Sequence, residues 1–391
     1  MSRNLFSKCI LGCGLAVAVL VPLGSVHAQG FSVLYSFCPA VNCPDGANPF
    51  AGLIIDKKGN LYGTAAGGGA DGAGVVFKLA PDGTETVLYS FTVGSDGFGP
   101  TADLIMDSSG NLYSTTENGG ADGYGVVFKL APDGTETVLY SFTGGSDGKY
   151  PEAGLIMDSS GNLYSTTLYG GADKYGADKY GVVFKLAPDG TETVLYSFTG
   201  GSDGEYPQAG LIMDSSGNLY GTTERGGAYD DGVVFKLAPG GTETVLYSFT
   251  GSDGGAYPYA GLIMGSSGNL YGMTPEGGAY DHGVVFKLAP GGTETVLHSF
   301  TGGSDGSEPQ AGLIMGRKGN LYGTTYFGGT DGAGVVFKLA SDGKETVLHS
   351  FTGGDGVFPS AGLLMDKKGN LYSTTQFGGA YESGVVFTLQ K

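Results

Sequence analysis

Gly-Val-Val-Phe-Lys-Leu-Ala-Pro-Asp-Gly-Thr-Glu-Thr-Val-Leu-Tyr-Ser-Phe, residues 125–142, is the stretch from which the fold follows. Two runs of β-branched, aliphatic and aromatic residues flank Pro132-Asp133-Gly134. That turn chemistry between two strand-forming runs predicts an antiparallel hairpin. Versions of the hairpin recur along almost the whole chain. Gly-Val-Val-Phe begins at Gly74, Gly125, Gly181, Gly232, Gly283, Gly334 and Gly384, in steps of 51, 56, 51, 51, 51 and 50 residues. The long step contains a local duplication, Gly-Ala-Asp-Lys-Tyr at 171–175 and again at 176–180. A fixed period near 50 points to a propeller, a solenoid or an array.

Each period holds four strand candidates, which in the unit after residue 150 are 154–157, 162–167, 181–186 and 193–198. Their apolar residues come in runs such as Leu-Ile-Met and Val-Val-Phe, so strands buried on both faces are expected. No stretch has a helical period, and the expected class is all-β. The two ends choose the architecture. The first strand candidate, residues 31–37, is a fourth strand with no unit before it, and residues 384–390 are a third strand with no fourth after it. A ring explains both fragments. The expectation is a seven-bladed β-propeller of four-stranded blades over residues 29–391, closed by the N-terminal strand pairing with the last blade.

The repeated pattern Ser-Phe-Thr-Gly-Gly-Ser-Asp-Gly, then Ala-Gly-Leu-Ile-Met-Asp-x-x-Gly-Asn-Leu-Tyr-Gly-Thr-Thr, then Gly-Gly-Ala and Gly-Val-Val-Phe-Lys-Leu, resembles the GloVer tandem repeat of exported bacterial proteins. The resemblance covers residues 31–391. It implies varied C-terminal sorting anchors and no particular activity. This chain ends at Lys391, directly after its last strand, so release or periplasmic residence is expected in place of surface anchoring.

Residues 1–28 read as a signal peptide: Arg3 and Lys8, then a short apolar run, then Ser25-Val26-His27-Ala28 before the cut. The expected location is secreted or periplasmic, with no membrane insertion after cleavage. Cys38 and Cys43 remain, and in an exported chain they are expected to form a disulfide. The formal net charge is −18 and becomes two units more negative when Arg3 and Lys8 leave. That balance argues against nucleic acid and anionic membrane surfaces, which need Lys/Arg clusters. It is compatible with a neutral glycan, a basic protein or cations; a monomer is expected.

If the four strands run up and down, the loops between second and third strands share one face with the loops between units. The tight turns share the other, and they are nearly uniform copies, whereas the first face varies from unit to unit. Loops on rigid scaffolds carry function, so that variable face is the expected ligand site. Its aromatic residues Tyr124, Tyr150, Tyr206, Tyr229, Tyr257, Tyr259, Tyr280, Tyr326 and Phe327 are the candidate binding residues, since tyrosine offers a flat apolar face with a polar tip. The alternative is that these rings only pack the loops together. An Asp recurs between units, at Asp45, Asp96, Asp147, Asp203, Asp253, Asp305 and Asp355. Turn chemistry is the expected role, with calcium as the weaker alternative and no other cofactor. The expected function is a non-catalytic binding platform for a glycan or an extracellular protein. A carboxylate-dependent polysaccharide hydrolase or lyase using loop Glu residues is the first alternative, and a purely structural surface or matrix protein is the second.

Overall fold

The structure, a computed structural model, describes residues 30–172 and 179–390. The leader expected at 1–28 and most of the duplicated segment lie outside the described residues. Seven four-stranded antiparallel sheets stand in a ring. In the first, Ile54–Ile55 lies innermost, followed by Leu61–Ala65, Val75–Leu79 and the outer strand Glu85–Ser90. In the last, Leu364–Met365, Leu371–Thr375 and Val385–Gln390 are completed by the N-terminal strand Gly30–Ser36. That strand pairs with Val385–Gln390 from Gly30 opposite Gln390 to Ser36 opposite Val385. The expected closure is therefore present, and the ring has no free strand edge between its termini.

The hairpin at 125–142 forms the third and outer strands of its blade, Val126–Leu130 and Glu136–Ser141. Its turn closes by the Thr135 carbonyl accepting from the Ala131 N–H and the Ala131 carbonyl from the Gly134 N–H, both at 2.9 Å. Gly134 takes φ +87°, which a side chain would oppose. The register slips once between Val127 and Phe128. The same slip recurs in each outer pair, including the closing one, where it falls between Val33 and Tyr35. Such a bulge strengthens the local twist.

The innermost strands are shorter than their apolar runs: two residues, Ile156–Met157, where four were expected. The preceding Ala153-Gly154 instead turns along the central channel, where neighbouring backbones crowd the axis. The core lies between blades. Phe142, which follows the outer strand of one blade, packs edge to face on Phe184 of the next, with ring centroids 5.2 Å apart and both rings buried. Phe37 makes the same contact with Phe77 at 5.0 Å, so the closing strand fills its seam as the other outer strands do.

Candidate functional site

The loop face is shaped by one backbone device repeated at each blade junction. Asn48, Gly99, Tyr150, Tyr206, Tyr257, Glu308 and Phe358 precede the prolines at 49, 100, 151, 207, 258, 309 and 359, and all have φ between +51° and +68°. Positive φ is costly for bulky side chains. Two backbone hydrogen bonds offset it. The Tyr150 N–H donates to the Tyr124 carbonyl of the preceding blade at 2.9 Å, and the Tyr150 carbonyl accepts from the Leu168 N–H of its own blade at 3.0 Å. Tyr206 does the same with Tyr180 and Glu224, and Phe358 with Ala333 and Gln376. In the fifth blade the second bond is missing because Pro275 has no N–H.

This staple holds the following residues over the channel. The residue after each proline, namely Phe50, Thr101, Glu152, Gln208, Tyr259, Gln310 or Ser360, lines an axial cavity of about 430 Å³ together with the Ala-Gly-Leu-Ile backbone that follows it. These seven side chains differ widely in charge and size although the backbone under them is a copy. One blade breaks the backbone pattern too. Asp103 stands where the other six have Gly, and its Oδ1 accepts the Gly52 N–H at 2.6 Å. Its side chain is open to the lumen yet surrounded by protein, and this burial raises its carboxyl above the usual range against the lowering bond from Gly52.

Tyrosine and carboxylate side chains gather at the channel mouth. Glu152 is pushed up to about 7, first by burial and then by the charges of Glu117 and Glu224. Glu224 is itself raised by burial, opposed by Arg225, whose Nε lies 3.5 Å from its Oε1. The Tyr259 hydroxyl donates to Glu224 at 3.4 Å and is pushed up to about 12 by burial and by that carboxylate. Arg225 also places its guanidinium 4.8 Å from the centroid of Tyr257, a cation–π contact.

The structure divides the nine candidate aromatics. Tyr124, Tyr150 and Tyr206 join one half-exposed cluster with Tyr169 between the last two, at centroid separations of 5.9, 6.1 and 5.2 Å. Tyr326 and Phe327 join a second with Phe358, at 4.7 to 5.2 Å, and Phe377 extends it. Tyr257 lies under Arg225 and Tyr259 in the channel. Tyr229 and Tyr280 are brought to neither cluster; among the described residues they are the most exposed tyrosines, at 62% and 59%. Their loops hang over the outer strands, where the Ala228 and Ala279 N–H groups donate to Ser248 and Ser299.

Three elements of the site carry only a faint trace in the sequence: Asp103, the Arg225–Tyr257 contact and the raised Glu152. The trace for Asp103 is the single Asp in an otherwise unbroken Ala-Gly-Leu series. The other two depend on neighbours that are distant in sequence.

The recurring Asp residues act inside their own loops. Asp147 accepts from the Tyr140 hydroxyl at 3.0 Å, the Thr143 N–H at 2.8 Å and the Thr143 hydroxyl at 2.6 Å. His349 replaces that tyrosine in its blade, with its Nε2 2.9 Å from Asp355. Asp253 is exposed and has none of these bonds to the tyrosine or threonine of its loop. Among the described residues no group of three or more His, Cys, Asp or Glu side chains is arranged to hold a metal ion. Cys38 and Cys43 are joined in a disulfide beside the first of these loops.

Comparison with known proteins adds the following. The family model for the Gloeobacter/Verrucomicrobia repeat matches residues 24–230, 165–318 and 290–391. No curated protein matches the chain. Among solved structures, the chain is similar to an extracellular domain assigned to a hybrid two-component system of B. thetaiotaomicron, at 11% identity and a TM-score of 0.60. That match covers 92% of this chain and 39% of the other, so the chain spans about two fifths of that structure's length. A gluconolactonase from Xanthomonas campestris matches at 15% identity and a TM-score of 0.46, covering 94% of this chain and 92% of that one.

Proposed function

The chain belongs to the Gloeobacter/Verrucomicrobia repeat family, and from the way its seven copies differ we propose that it is a non-catalytic binding platform, secreted or periplasmic, for a glycan or protein ligand. One observation carries this reading. Side chains that hold blades together, such as the Phe142–Phe184 pair and its equivalents, are copied around the ring, whereas those around the channel mouth differ from blade to blade and include two half-exposed aromatic clusters. Rings spaced 5 to 6 Å apart on a rigid scaffold offer apolar contact with little ordering entropy. The disulfide and the resemblance to an extracellular domain support export.

The test is binding by a Tyr150→Asn, Tyr169→Ser, Tyr206→Asn variant across a glycan and peptide panel. Asn is chosen at 150 and 206 because it tolerates positive φ. Loss of the wild-type ligand with unchanged melting supports the site; retained affinity would place binding elsewhere. A second reading is favoured by Glu152. A carboxyl held near neutrality beside Glu117 and Glu224 has the chemistry of a general acid with a carboxylate neighbour. Turnover on a polysaccharide panel, lost in Glu152→Gln, would establish that reading over simple binding.

A further inference from the structure

The turn face is not uniform. The tips of the turns between inner and second strands read Ser-Ser at 108–109, 159–160, 215–216 and 266–267. In the other three blades they read Lys57-Lys58, Arg317-Lys318 and Lys367-Lys368. In sequence the first pair lies near one end of the chain and the other two near the opposite end. Ring closure makes the three blades consecutive. The Arg317 guanidinium donates to the Lys367 carbonyl at 3.3 Å, bridging one junction. At the next, a Cβ on Gly52 would lie 3.4 Å from the Gly362 carbonyl oxygen.

All six side chains are exposed. The carboxylates among them are engaged in their own turns: Asp56 accepts from the Lys58 and Asn60 N–H groups and from the Asn60 amide, and Asp366 does the same with Lys368 and Asn370. The third turn has Gly316 in place of Asp. The result is an arc of six cations beside Asp56 and Asp366, with Asp82 and Asp342 in the neighbouring turns of the same face, each accepting a backbone N–H within its own turn, on a chain of net charge −18. The Asp residues of the loops between units lie at the far ends of the strands, and ionic screening over about 8 Å makes the local count govern contact at this face.

We propose that this arc docks the propeller, turn face down, on an anionic lipid surface. Equivalent turns project to equal height from one end of the ring, so the charges lie in a plane and meet a flat array of headgroups. Lysine suits phosphate as a point charge. The tips carry no aromatic ring to stack a sugar or a base, which disfavours polysaccharide and nucleic acid. They also carry no apolar side chain to enter hydrocarbon, so the contact is peripheral and salt-sensitive. The sequence-wide charge pointed away from anionic membranes because it averaged two unlike faces. Docking in this way leaves the aromatic loop face outward, and the inference does not depend on what that face binds.

The experiment is co-sedimentation of residues 29–391, a ring closed within itself, with vesicles of phosphatidylglycerol and phosphatidylcholine or of phosphatidylcholine alone. One variant changes Lys57, Lys58, Arg317, Lys318, Lys367 and Lys368 to Ser, the residues the other four turns already use. A second changes the strand lysines Lys78, Lys129, Lys185, Lys236, Lys287 and Lys338 to Gln, with the same loss of charge. Binding to the anionic vesicles only, weakened by about a hundredfold or more in the first variant and retained in the second, is the expected result. Equal loss in both variants, or no vesicle binding by the wild type, overturns the proposal. Binding to polygalacturonate without vesicle binding also overturns it and assigns the arc to an acidic glycan.

Discussion

Acidification from about pH 7.5 to about pH 5 is expected to stabilise this propeller, opposite to the acid sensitivity of proteins rich in paired carboxylates. The cause is a carboxyl at the start of an outer strand in six blades. Glu85, Glu136, Glu192, Glu243 and Glu345 are pushed up to about 7, first by burial and then by the Asp of the preceding blade's loop. Glu294 is also raised by burial. Each buries its Oε1 with no hydrogen-bond partner, a placement that opposes the charged form. A folded pKa above the unfolded one means that the native ring binds more protons between about pH 4.5 and 7, so stability falls as pH rises through that window. A shift from 4.5 to about 7 is worth ~3 kcal/mol unscreened. These groups are only half buried, and solvent screening reduces each to about 1 kcal/mol. Five such groups give ~5 kcal/mol, or ~6 °C at the unfolding entropy of a chain this long. His298 and His349 act in the opposite sense: burial lowers both, so their contribution is lost as pH falls below about 6.5. Below about pH 4, protonation of Asp56, Asp107, Asp158, Asp214 and Asp366, all held low by turn hydrogen bonds, reverses the gain. Circular-dichroism melts across this range test the reasoning. A melting temperature that rises from about pH 5 to about pH 7.5 would refute it, as would an unchanged slope when the five glutamates are replaced by Gln.

Phe37→Ala should cost about 3–5 kcal/mol in chemical denaturation, as much as Phe142→Ala, because both rings fill equivalent seams; a cost below ~1 kcal/mol would mean that the seam closed by the N-terminal strand contributes little. Gly125→Ala should destabilise by more than ~3 kcal/mol, since its Cβ would fall 2.5 Å from the Thr116 carbonyl oxygen and 2.6 Å from Pro151 Cδ at φ +96°, whereas Gly123→Ala, with open space around it, should cost only its positive φ. Reducing Cys38–Cys43 should lower stability by about 2 kcal/mol without opening the ring, measured as a small shift in melting temperature; collapse of the whole transition would contradict a local role.

Much of this architecture was legible from residues alone because a repeat reports its own geometry. Pro132-Asp133-Gly134 between two apolar runs specifies a hairpin from local turn chemistry, and the orphan strand at 31–37 specifies closure because it lacks only what residues 384–390 offer. The two-residue inner strands and the recurring bulge were not legible. Both depend on crowding and twist within the assembled blade, which strand-forming runs do not encode. The candidate aromatics were legible as a face but not as clusters: Tyr150 and Tyr206 meet through Tyr169, while Tyr229 and Tyr280 stay apart, because backbone staples between neighbouring blades set where each loop points. The turn lysines show the same division most plainly. Lys57-Lys58 and Lys367-Lys368 are visible as isolated pairs at opposite ends of the chain, and they become one surface only because the ring brings its first and last blades together.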